Sequence, residues 1–114
     1  MQEIKIDENT KGVLVLAVPN DITNEPWVIL IESTTPRTVN GIKCYDIFRH
    51  ASYCITNNGD DVAYVDNEPG RWGNTRKYKF YKPNKKQRDL LKNFMGRNCY
   101  RFDKENNKVI YTGV

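Results

Sequence analysis

Apolar residues in this chain come in short, β-branched runs cut by clusters of Asn, Asp, Gly and Pro. The longest are Val13-Leu14-Val15-Leu16-Ala17-Val18 and Trp27-Val28-Ile29-Leu30-Ile31. None approaches the roughly 20 residues that a membrane-spanning helix requires. Runs of this length, bounded by turn residues, predict strands joined by tight connections. With 114 residues, 39% of them hydrophobic and 28% charged, the chain has material for one modest core and too little for two. A single domain over residues 1–114 is the expectation, with no internal repeat and no low-complexity segment.

Residues 2–6 and 13–18, joined by Asp-Glu-Asn-Thr-Lys-Gly, predict an N-terminal hairpin. Proline and asparagine at 19–20 and 24–26 mark the loop that follows. Residues 27–31 predict a buried central strand. Residues 33–40, with Pro36 and three threonines, read as loop. Over residues 42–56 two patterns compete. Cys44, Ile47, Phe48, Ala51, Cys54 and Ile55 recur at helical spacing, whereas Asn57-Asn58-Gly59-Asp60 marks a tight turn between two apolar runs. The combined expectation is a short helix over about 42–50 and a hairpin over about 52–65. Residues 66–74, with Pro69, Gly70 and Gly73, predict a loop, and residues 76–82 alternate like a strand. Asn84 is a suitable N-cap for a helix over 85–95 with Leu90, Leu91, Phe94 and Met95 as its apolar stripe, and Gly96 is its stop. Residues 99–103 and 108–112 predict a terminal hairpin. The fold class expected is α+β, mostly antiparallel, with about eight short strands, several hairpins and one helix near 85–95.

Charge is distributed unevenly. Residues 1–70 hold five Lys or Arg against eleven Asp or Glu, a net of −6, while residues 71–108 hold thirteen against three, a net of +10. Such asymmetry marks a surface that meets a partner, unless folding intermixes the halves. In the basic segment, cations and aromatics interleave on the strand, and Lys85, Arg88 and Lys92 recur at helical spacing. Cations neutralise phosphates, and flat rings offer platforms for unpaired bases. The candidate nucleic-acid contacts are Arg71, Arg76, Lys77, Lys79, Lys82, Lys85, Arg88 and Lys92 for phosphates, with Trp72, Tyr78 and Tyr81 for stacking. The competing reading puts Tyr78 and Phe80 in the core, Trp72 folded back on it, and Lys77 and Lys79 on a solvated edge.

Other motifs are weaker. Gly70-Arg71-Trp72-Gly73 matches the four-letter backbone clamp of one RNA-binding module, but in a loop-to-strand context. Cys44, His50, Cys54 and Cys99 supply the donor types for zinc without the paired spacing of a zinc site. Three cysteines, an odd number, suit a reducing compartment. His50 and Ser52 are near in sequence, yet catalysis needs a third orienting group. Asp60, Asp61, Asp66 and Glu68 form an acidic group that is more economically turn chemistry. There is no phosphate-binding loop, dinucleotide fingerprint or metalloprotease motif.

These residues therefore predict a non-enzymatic binding module with no cofactor and no metal. Its expected partner is nucleic acid, single strands preferred. The alternative is a protein partner, as for a virion component or inhibitor of a phage or other mobile element. In that reading acidic and basic faces also join copies of the chain into a homo-oligomer. The N-terminus lacks the apolar stretch of a secretory signal, so the location expected is the cytoplasm or a virion, away from membranes.

Overall fold

The computed structural model describes residues 2–21, 24–55, 62–66, 69–94, 100–103 and 108–111. The chain begins with an irregular segment and enters β1 (Val13–Pro19), β2 (Trp27–Val39) and β3 (Ile42–Ile55), an antiparallel meander. There follow β4 (Val62–Asp66), β5 (Gly70–Asn74), a 3-10 turn at Thr75–Lys77, β6 (Tyr78–Tyr81), α1 (Lys85–Phe94), β7 (Tyr100–Asp103) and β8 (Lys108–Tyr111). The strands run in the order β4-β3-β2-β1-β8-β7, with β5 also on β3 and β6 also on β1. Eight short strands side by side therefore overstate the sheet. Two strands are long, at 13 and 14 residues, and β4 with β5, like β6 with β8, share one neighbour's edge at different levels. The α+β, mostly antiparallel class with one short helix is the observed one.

Alternation along β1 and β2 divides the core into two layers, one on each face of the sheet. Leu14, Leu16, Val28, Leu30, Ala51, Tyr53 and Ile55 form the first. Val15, Ala17, Ile29, Ile31, Ile47, Phe80 and Ile6 form the second. A strand covered on both faces needs apolar residues at every position, which is why residues 13–18 and 27–31 read as unbroken runs. The first layer receives the start of α1, where the Tyr53 hydroxyl donates to the Gln87 carbonyl. The second is covered by Ile4, Ile6 and a group of aromatic side chains. The radius of gyration, 13.4 Å, matches the value of about 13 Å for a compact chain of this length.

Five local expectations are corrected. Residues 2–6 do not pair with β1 as a hairpin. They run beside β6, where Ile4 N–H donates to the Phe80 carbonyl and Lys82 N–H to the Gln2 carbonyl, both at 2.8 Å. Asp7 and Thr10 bond to each other's backbone and side chains, and Gly12 sits at φ 63°, so the connection turns away from a tight reversal. Residues 33–39 are strand, not loop. The two-residue turn lies at Asn40 (φ 51°) and Gly41 (φ 78°), which pairs Val39 with Ile42. Pro36 is tolerated because no described strand lies on the far side of β2 beyond Ile31.

The helix expected over 42–50 is the first part of β3. Opposite Leu30-Ile31, strand β3 carries His50 as an extra residue, and one step on Glu32 is extra on β2. An extra residue inverts the inward-facing phase of the strand that carries it, so the His50 bulge gives β3 spacings that mimic a helix. Residues 70–74, expected as loop, form β5 along Asp46–Arg49 of β3. The strand predicted at 76–82 is shorter, because Arg76 and Lys77 lie in the 3-10 turn and Lys82 lies beyond the end of β6. The β3–β4 and β7–β8 pairings match the two remaining predicted hairpins. Their turns, with Asp60 and Asp61, and the helix stop at Gly96 lie outside the described residues. Asn84 caps α1 as expected: its Oδ1 accepts from Gln87 N–H at 2.9 Å, and Gln87 Oε1 accepts from Asn84 N–H at 2.9 Å. This is a reciprocal capping box.

Candidate functional site

The basic residues singled out in the sequence fall into two groups. Arg71 on β5, Arg76 and Lys77 in the 3-10 turn, and Lys79 on β6 are all exposed. Lys82, after β6, is half-buried. The other group belongs to α1. Lys85 pairs with Asp89 one turn on at 2.9 Å, and Arg88 Nη1 donates to the Pro83 carbonyl at 3.2 Å. Lys92 follows on the same helix.

The three aromatics do not share a face. Trp72 and Tyr78 are half-buried on the second core layer, with ring centroids 4.5 Å apart, and Trp72 also meets Trp27 edge-on at 6.4 Å. Tyr78 continues this group to Phe80 at 6.3 Å. Tyr81 packs on the opposite layer, against Leu14 and its neighbours. These rings cover core, as the competing reading of the sequence held, and two of them are engaged with each other.

The most organised polar group lies on the arm formed by β2, β3 and β5. Asp46 of β3 accepts at Oδ1 from Asn74 Nδ2 (2.8 Å) and Arg71 Nη2 (3.3 Å), and at Oδ2 from Arg37 Nη1 (3.4 Å). The Asn74 amide also donates to Cys44 Sγ at 3.4 Å. Its oxygen accepts from Arg76 N–H at 3.0 Å and Arg76 Nε at 3.2 Å, so one side chain both caps the 3-10 turn and positions the guanidinium. The turn is tied to β3 a second time, through Tyr45 N–H donating to Thr75 Oγ1 at 3.0 Å. The Asn74 hydrogen bond, followed by the Arg71 and Arg37 charges, holds the Asp46 carboxyl below the usual carboxylate range against the effect of burial. Two guanidiniums thus meet one ionised carboxylate, and Asn74 links a third, that of Arg76, to the same group.

Arg37 belongs to this group and was not among the residues expected from sequence. The Asn40-Gly41 turn is the signal for it. A two-residue turn there sets Arg37 opposite Cys44 and Thr35 opposite Asp46, which places Arg37 and Asp46 diagonally on one face.

The cysteine and histidine candidates are dispersed. Cys44 Sγ donates to the Arg37 carbonyl at 3.3 Å, while Cys54 Sγ donates to Glu25 Oε2 at 3.1 Å. Burial, with the adjacent Glu25 carboxylate, pushes the Cys54 thiol up to about 12, so it is a hydrogen-bond donor and not a nucleophile. His50 Nδ1 faces Glu32 at 3.9 Å, the two bulge residues meeting across the ladder. Ser52 Oγ is buried without a hydrogen-bond partner among the described residues. Cys99 lies outside the described residues. Among those described, no three of His, Cys, Asp or Glu gather as metal ligands, and no helix is long and apolar enough to cross a membrane.

Comparison with known proteins adds no assignment: no family model, curated protein or solved structure matches this chain.

Proposed function

We propose that the chain is a non-enzymatic nucleic-acid-binding module whose contact surface is the basic segment from β5 through β6 to the start of α1. One observation carries the reading. Between residues 71 and 79 four cations, Arg71, Arg76, Lys77 and Lys79, are exposed, and of these only Arg71 has an acidic partner among the described residues, Asp46. Surplus positive charge on one stretch of surface attracts a polyanion and releases its counterions. Lys82, Lys85 and Arg88 extend the surface to the start of the helix, on which Lys92 follows.

Phosphates, rather than bases, are the primary target in this reading. Trp72, Tyr78 and Tyr81 pack on core layers and leave less ring face for stacking than a single-strand platform uses. The test is anisotropy of labelled single- and double-stranded DNA and RNA over a salt series. We expect log affinity to fall linearly with log salt, and Lys77→Glu with Lys79→Glu to weaken binding by more than tenfold at low salt. Equal affinity in that double variant, or no binding at low salt, overturns the proposal. The second outcome turns attention to a protein partner.

A further inference from the structure

The arm holds a feature that a solvated basic surface does not require. Asp46 is more buried than the arginines paired with it: its side chain is only 15% exposed, whereas those of Arg37 and Arg71 are 54% and 51% exposed. An anion arriving from solvent therefore meets guanidiniums before it meets the carboxylate. Neither arginine is gripped in the parallel two-bond fork that saturates a guanidinium. Each gives Asp46 a single N–H, at 3.3 or 3.4 Å, out of the five it carries. Arg76 is held through Asn74 in the same way, by Nε alone. The carboxylate and the amide orient three arginines from β2, β5 and the 3-10 turn while leaving most of their donors directed elsewhere. Three positive charges against one negative leave an excess of two.

From this arrangement we infer that Arg37, Arg71 and Arg76 form a phosphate-binding site, with Asp46 and Asn74 as positioning residues beneath it. A phosphate oxygen pair matches the flat fork of a guanidinium, and arginines converging from separate elements define one position for the anion. The inference rests on the nucleic-acid reading for its natural ligand, a backbone phosphodiester. The chemistry it needs is the phosphate alone.

The experiment uses the full chain and two probes. First, the arginine Nε–H resonances are followed by NMR as inorganic phosphate replaces chloride at constant ionic strength. Saturable shifts at Arg37, Arg71 and Arg76 are expected, and Arg37→Gln should weaken the response of the other two several-fold. Shifts that grow without saturation, or that chloride produces equally, overturn the site. Second, binding of a short oligothymidylate is measured across a sodium chloride series. Arg37→Gln should lower the slope of log affinity against log salt by about 0.7, the loss of one phosphate contact on a single strand. Arg37→Lys should restore the slope but not the full affinity, because an ammonium lacks the fork. Oligonucleotide binding with an unchanged slope in Arg37→Gln overturns the site and leaves the wider reading standing. Saturable phosphate binding with no oligonucleotide binding at any salt does the reverse. Arg37 is exposed on a strand, and a melting curve matching the parent chain verifies that each variant is folded.

Discussion

At Asn74 a single amide satisfies four groups: the Asp46 carboxylate, the Cys44 sulfur, and the Arg76 backbone and side-chain N–H groups. Only 5% of the residue is exposed, so truncation removes one buried partner from each of these groups. Asn74→Ala should cost about 1–3 kcal/mol in urea denaturation, and should lessen the response of Arg76 to phosphate more than that of Lys85. The Cys54 thiol supports a second prediction, about pH. Its folded value is raised from 9.0 to about 12. Above about pH 9 the unfolded chain loses this proton while the folded chain keeps it, so the folded state binds more protons. Stability falls as pH rises from 9 toward 12. Cys54→Ser should flatten that part of the stability curve, and the parent thiol should react with iodoacetamide at pH 8 far more slowly than in the unfolded chain. Little of this was legible beforehand. Asn74 sits in a glycine-rich segment that reads as loop, and its role exists only because β5 lies beside Asp46.

The β2–β3 arm holds the largest difference between local pattern and structure. Asn40-Gly41 is the same turn signal as Asn58-Gly59, but Pro36 and the threonines before it suggest a loop. A proline terminates a strand only where its missing N–H would have bonded to a neighbour, and beyond Ile31 β2 has no described neighbour on its outer side. On β3 the helical spacing is produced by the bulge at His50. Bulges are decided by how two strands register, which a single strand's pattern does not reveal. Gly41 tests the arm directly. A side chain there meets nothing within 4 Å, so the cost of Gly41→Ala is conformational, arising from φ 78°. It should destabilise the arm by about 1–2 kcal/mol. Hydrogen exchange at Val39 and Ile42 should accelerate while β1 amides remain protected. The helix start, in contrast, was readable at 84–87, because a capping box is local: all its partners lie within one turn.

Across the whole molecule the sheet is covered on both sides, and the N-terminal segment is part of that cover. Ile6 is 7% exposed within the second layer, and residues 2–4 lie along the edge of β6. Ile6→Ala should cost about 2–5 kcal/mol in chemical denaturation, toward the lower end because the site is at the layer's margin. A loss below about 0.5 kcal/mol would mean the segment is detached from the core in solution. The same interleaving bears on charge. In the regions described, the acidic and basic halves of the sequence meet within one chain. Arg71 pairs with Asp46, and β6 lies between β1 and the segment carrying Glu3. Such contacts within a chain compete with head-to-tail contacts between chains. We expect light scattering at low salt to report the same mass across a tenfold range of concentration.

Sequence alone determined the class of fold, the buried centre of the sheet, the helix and its cap, and the excess of positive charge after residue 70. Each depends on composition or on neighbours within a few positions along the chain. The tertiary structure decided that residues 33–39 and 70–74 are strands, that the aromatics serve the core, and that Arg37 joins Arg71 at Asp46, with Arg76 tied to them through Asn74. Those outcomes depend on which strand lies beside which, and a contact such as Arg71 with Asp46, 25 positions apart, leaves no periodic trace in either segment.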